Sequence, residues 1–259
     1  MGLEFLKTYS SKSTIAAYRW SIKDYLEKCG FKGEVEEIAE AYFKQNRNYE
    51  EDITKYFTSI KGKPPKTVGL CLSAIRIFLL ENGVELPAKF WRKLRGRRKG
   101  SRPLMLDKVP NNADLRRILT HTDTKGKALF LVLASSGMRI GETLKLKLSD
   151  IELDKDPAKI NIRGEYTKTG NPRIAFISSE AKEAIQEWLK VRDKYLEAAV
   201  AKSTKYEKAK NDDRLFPFED NTAYSIWRNA IEKAGFNQKH TYNDTIERYS
   251  VHPHVLRKF

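Results

Sequence analysis

Residues 127–137, KALFLVLASSG, place the tightest limit on what this chain can become. Apolar side chains fill the run too densely for a single exposed stripe, so the helix is buried and Gly137 closes it. The neighbouring segments supply what encloses it. ADLRRILTHT, starting near residue 111, is a helix, as are 179 to about 200 and 220–234. Two short runs break that rhythm: KINIR at 159–163 and RIAFI at 173–177 alternate with period two. They flank GEYTKTGNP, whose Gly and Pro mark a turn, and read as a β-hairpin with a loop too long for the tightest turns. The polar stretch that reaches residue 213 reads as a loop, and a last helical turn begins at Pro253. The expected class is mainly α with a small β-hairpin or sheet, α+β.

The first 90 residues read as a separate bundle of four or five short helices. STIAAYRWSIKDYLEKC, residues 13–29, has helical periodicity, with Ser13 or Thr14 as its cap and Gly30 as its stop. Similar runs fill about 34–45 and 50–60, and another follows Pro64 and Pro65 with Val68, Leu72, Ile75 and Leu79 inward. The next stretch, WRKLRGRRKGSRPL at 91–104, reads as a flexible basic strap carrying Arg92, Lys93, Arg95, Arg97, Arg98, Lys99 and Arg102. The expected layout is a helical DNA-binding domain over 1–95, a basic linker over 96–110 and a second domain over 111–259.

Charge indicates the partner. Forty-nine basic against 34 acidic residues leave a net +15, which favours a polyanion, nucleic acid ahead of an anionic membrane. No run approaches the ~18 apolar residues of a membrane span, and the N-terminus has no secretory pattern. Cys29 and Cys71 have no metal-like spacing and read as reduced core residues of an intracellular protein. Phosphate-cradling loops, H-E-x-x-H and Ser-centred elbows are missing from the sequence, which leaves basic side chains to carry any chemistry.

Three places offer such side chains. ASSGMRIGETLKLKLSDI, residues 134–151, puts Arg139 at the start of a new helix, with Glu142 and Asp150 near enough to orient or balance it. YTKTGNPR carries Lys168 near the hairpin tip, and PHVLR carries His254 and Arg257 three apart on one helical face. Each also has a plain structural reading: an Arg139–Glu142 ion pair, a solvated turn lysine, a capping histidine.

Taken in order, GMRIGETLKLKLSDI, TKTGNPR and PHVLR resemble three segments of the tyrosine recombinase family, the phage-integrase type. They are its first-arginine box, its β-hairpin lysine segment and its His-x-x-Arg box. The resemblance covers most of 111–259, and the helical first half suits the family's core-binding domain. It implies that Arg139 and Arg257 clamp the non-bridging oxygens of a scissile DNA phosphate. It makes Lys168 the general acid on the departing 5′-oxygen and gives His254 a part in proton transfer. It implies double-stranded DNA as partner, no cofactor or metal, a homotetramer on DNA for an intact protein, and a cytoplasmic, DNA-associated location.

The family's attacking tyrosine, which becomes linked to a 3′-phosphate, follows the His-x-x-Arg box, whereas these residues end two positions after Arg257. Tyr166 and Tyr249 read as packing or DNA-contacting residues, and Lys258 stands where many members have a second histidine. The expectation is a truncated recombinase that binds DNA without cutting it alone, possessing no nucleophile and existing as a monomer. A non-catalytic DNA-binding relative and a type IB topoisomerase-like enzyme are the alternatives.

Overall fold

A computed structural model describes residues 2–97, 107–202, 211–242 and 246–259. The chain divides into two compact units, residues 1–104 with 241–246, and 105–240 with 247–259.

In the first unit, α1 (Lys12–Lys28), α2 (Val35–Lys44), α3 (Tyr49–Ile60), α4 (Pro65–Glu81) and α5 (Ala88–Gly96) surround one apolar core. Ser11, and neither Ser13 nor Thr14, caps α1, because its hydroxyl accepts from the Thr14 N–H at 3.3 Å. Gly30 follows that helix with φ 97°, a conformation open to glycine. Tyr25, Ile53, Ile75 and Phe78 are fully enclosed. Burial raises the Cys29 thiol to about 11. Helix α5 corrects the reading of 91–104 as a uniformly flexible strap. Trp91 and Leu94 are buried, three apart on one helical face, so that stretch is ordered by packing as far as Gly96.

The second unit forms around α7. Short α6 (Asn112–Leu119) starts on an Asn111 cap that accepts from the Asp114 N–H at 2.8 Å, and α7 (Thr124–Ser136) on an Asp123 cap that accepts from Gly126 at 3.0 Å. Every residue of α7 from Ala128 to Leu133 is buried, as its composition requires. One further turn, α8 (Ile140–Thr143), leads into β1 (Ile151–Glu152), β2 (Ala158–Ile162) and β3 (Arg173–Ile177). These make an antiparallel sheet in the order β1-β2-β3, with Ile160 paired to Ile151 on one side and to Ala175 on the other. The long α9 (Ser179–Ala201) packs on α7, α10 (Asp220–Lys233) follows, and β4 (Lys239–Tyr242) pairs with β5 (Ile246–Tyr249). Pro253–Lys258 winds as a 3-10 turn rather than the expected α-helix, and it too packs against α7. One buried helix therefore touches α9, β3 and the last turn. Among the described residues no helix is long and apolar enough to cross a membrane.

Candidate functional site

Gly137 ends α7 in the left-handed conformation, φ 63° and ψ 16°, with its N–H bonded to the Leu133 carbonyl. This turn buries Met138 and delivers Arg139 to the N-cap of α8. Glu142, 3% exposed, reaches back one turn. Its Oε2 accepts from the Arg139 backbone N–H at 3.0 Å, and its Oε1 accepts from Arg139 Nη1 at 2.7 Å. A second guanidinium shares this carboxylate, since Arg173 Nη2 donates to Oε2 at 2.6 Å. Burial pushes the Glu142 carboxyl up, but the bonds from Arg173 and Arg139 outweigh it and bring the group down to about 2. The result is one buried anion between two half-exposed cations.

The last turn brings a third guanidinium to the same place. Pro253, Val255 and Leu256 are buried and hold the turn, while His254 and Arg257 face outward. Arg257 Nε donates to the Gly137 carbonyl oxygen at 2.8 Å, so the two arginine segments join at the end of α7. Partial desolvation, followed by the nearby His252 and Arg257, lowers the His254 pKa, with Arg139 acting in the same sense and Asp220 opposing. The Tyr224 hydroxyl lies 3.2 Å from His254 Nε2. Lys258 does not join this cluster. With His252 it bonds Asp107, at 2.8 and 3.1 Å, which ties both flanks of the turn to the start of the unit. Those two bonds, Lys258 first, lower the Asp107 pKa.

Lys168 is exposed at the tip between β2 and β3, and among the described residues it forms no hydrogen bond or ion pair. The loop that presents it is closed tightly. The Thr167 hydroxyl donates to the Gly164 carbonyl at 2.9 Å, and a β-carbon on Gly164 would collide with the Gly170 carbonyl oxygen. Arg173, at the foot of the same loop, connects it to Glu142.

Asp150 serves this loop and not Arg139, contrary to its expected place beside that arginine. Its carboxylate accepts from Arg163 Nε at 2.7 Å, from the Lys147 N–H at 2.9 Å and from the Tyr166 hydroxyl at 3.1 Å. The cause is position, because the Leu148–Asp150 turn opens straight into β1 and faces the base of the hairpin. Tyr166 is accordingly buried, and burial raises its pKa to about 12. Of the strap residues, Arg92, Lys93 and Arg95 lie exposed on α5 and Arg97 just after it, whereas Arg98, Lys99 and Arg102 fall outside the described residues. Sequence reasoning missed Arg173, Tyr224 and Asp107. Only Arg173 left a signal, as the last residue of the quoted TKTGNPR.

A model described as the phage integrase family matches residues 109–259. The tyrosine recombinase XerC of Shewanella sp. (strain ANA-3) is 32% identical over 145 residues, 51% of this chain and 44% of that protein. XerA of Thermococcus onnurineus (strain NA1), also a tyrosine recombinase, is 26% identical over 200 residues, 76% of this chain and 60% of that protein. The matched part thus spans about half the length of these relatives. A lambda integrase (75-356) dimer bound to a COC′ core site shares the fold at TM-score 0.63 and 15% identity, over 98% of this chain and 81% of that one. XerH bound to difH substrate does so at TM-score 0.56 and 17% identity, over 94% and 66%.

Proposed function

The chain belongs to the phage integrase family, and from that premise we propose that it binds duplex DNA as a site-specific tyrosine recombinase. Arg139 and Arg257 then hold the non-bridging oxygens of the scissile phosphate, Lys168 protonates the departing 5′-oxygen, and His254 assists proton transfer. The observation that carries this reading is the Arg257–Gly137 bond, which brings two arginines from opposite ends of the unit to one helix terminus. Charge-assisted bonds from guanidinium groups suit a phosphorane, whose extra negative charge needs preorganised donors. Glu142 fixes one of those donors before any ligand arrives, which removes reorganisation from the reaction step.

Duplex DNA is the proposed partner. The exposed cations Arg92, Lys93, Arg95 and Arg97 are proposed to meet its phosphates, and a tetramer on two duplexes is the proposed working assembly. Tyr166 is committed to Asp150, and Tyr249 is bonded to Glu232. Neither hydroxyl is therefore proposed as the nucleophile, and duplex binding is the activity proposed for the described residues.

Selection of bound duplexes from a random library, followed by titration in rising salt, tests the reading. Affinity should fall linearly on logarithmic axes, with a slope of roughly −0.9 for each phosphate neutralised, and Arg257→Ala should reduce that slope by about one. Duplex binding that ignores salt, or a variant with the parent's slope, would overturn it.

A further inference from the structure

One hydroxyl outside the roles above is aimed at the clamp. Tyr224 stands one turn into α10 with its oxygen 3.2 Å from Nε2 of His254 and its ring edge-on, centroids 6.5 Å apart. The same helix face holds the backbone that leads to the histidine. Trp227, three residues on, is buried, and its indole N–H donates to the Val251 carbonyl at 3.1 Å, just ahead of the Pro253–Lys258 turn. Helix α10 therefore sets the height of the turn through Trp227 and meets the imidazole through Tyr224.

We propose that Tyr224 is a positioning residue whose hydroxyl donates to Nε2 of His254, fixing the tautomer that carries its proton on Nδ1 and the ring's orientation in the phosphate clamp. The clamp role rests on the DNA-binding reading above, and the tautomer does not. The donor assignment follows from the surroundings. A neutral imidazole has one acceptor nitrogen, and the group hydrogen-bonded on one side decides which nitrogen keeps the proton. Burial, then Asp220, raises the phenol's pKa, so Tyr224 stays protonated and has a proton to donate. Desolvation, then His252 and Arg257, disfavours an imidazolium at this place, with Asp220 opposing, so the ring is neutral and has one acceptor nitrogen to offer the hydroxyl 3.2 Å away. The turn's other histidine, His252, is held separately by Asp107.

The test is carried out on the DNA-free chain by nitrogen-15 spectroscopy of the histidine rings, with His254→Gln identifying the signal. The wild type should show His254 protonated on Nδ1. Tyr224→Phe should move the proton to Nε2, the position free imidazole side chains prefer, and raise the midpoint of the His254 titration, because a bond favouring the neutral form is gone. Wild-type protein with the proton on Nε2 overturns the proposal without recourse to any variant. A Tyr224→Phe protein that folds and leaves tautomer and midpoint unmoved overturns it equally. Duplex affinity measured against pH provides the second readout. The variant should gain affinity at a higher pH than the wild type, since its imidazole becomes cationic sooner. If ring and affinity part company, the failing half is identified: expected ring spectra without duplex binding reject the DNA reading and keep the pairing. Duplex binding with an unshifted pH profile rejects the clamp role of Tyr224.

Discussion

Arg257 donates through Nε to the carbonyl oxygen of Gly137, 2.8 Å away and 120 positions earlier in the chain. The bond uses the nitrogen nearest the side-chain stem, and among the described residues the two terminal nitrogens form no hydrogen bond. A lysine has no counterpart to this division, since its single ammonium cannot be anchored and presented at once. Arg257→Lys should therefore lose duplex affinity while retaining charge, by on the order of 1–3 kcal/mol, and isothermal titration against a selected duplex checks it.

Gly137 itself holds a left-handed backbone at φ 63°, and nothing lies within 4 Å of where a β-carbon would sit. Strain alone should then set the effect of substitution. Gly137→Ala should lower stability by about 1–2 kcal/mol in urea denaturation, and Gly137→Asn, which tolerates this conformation, should recover part of it. Equal losses in both variants would point to a steric cause that the local space does not contain.

Glu142 predicts a pH dependence with a definite sign. Its folded pKa is held at about 2, below the ordinary 4.5, so its contribution is complete above that ordinary value and disappears as pH falls from about 4.5 towards 2. The gap in stability between wild type and Glu142→Gln should narrow over that interval and stay constant from pH 6 to 8. Near neutral pH the variant leaves the half-exposed Arg139 and Arg173 without their shared anion, and a loss of about 1–3 kcal/mol is expected. Urea titrations at stepped pH measure both.

The loop bearing Lys168 depends on the absence of a side chain at Gly164. Gly164→Ala should force the 164–170 loop open, because the added carbon meets the Gly170 carbonyl oxygen, a backbone atom that cannot step aside. The expected cost is about 1–3 kcal/mol, with faster amide exchange confined to the hairpin and an unchanged α7.

Asp107→Asn should release Lys258 and His252 together. Both bonds are partly exposed, so global stability should change by less than ~1 kcal/mol. Hydrogen exchange at residues 253–258 should nonetheless rise, because the turn loses the ties on its two flanks.

Much of this was legible in the sequence, for identifiable reasons. The density of KALFLVLASSG announced a buried helix, and Gly137 its end, because composition and a left-handed terminus are local properties. The strands 158–162 and 173–177 were visible because they alternate about a Gly- and Pro-marked turn. Strands β4 and β5 were not, since KHTY and IERY are short and polar and owe their pairing to each other. The three motif segments were found, but their wiring was not. Arg173 meets Glu142 across 31 residues and Tyr224 meets His254 across 30, separations at which neither helical nor strand periodicity carries information. Asp150 was assigned by sequence proximity to Arg139, whereas the direction of the chain after Leu148–Asp150 assigns it to the hairpin.

The bond between Gly137 and Arg257 also bears on the order in which the protein is made. A ribosome produces the helix end long before the residue that completes it, and 120 positions of chain must emerge in between. Loop closure of that length comes late in folding, after the local helices have formed. A nascent chain therefore lacks the joined pair of arginine segments until residue 257 has emerged.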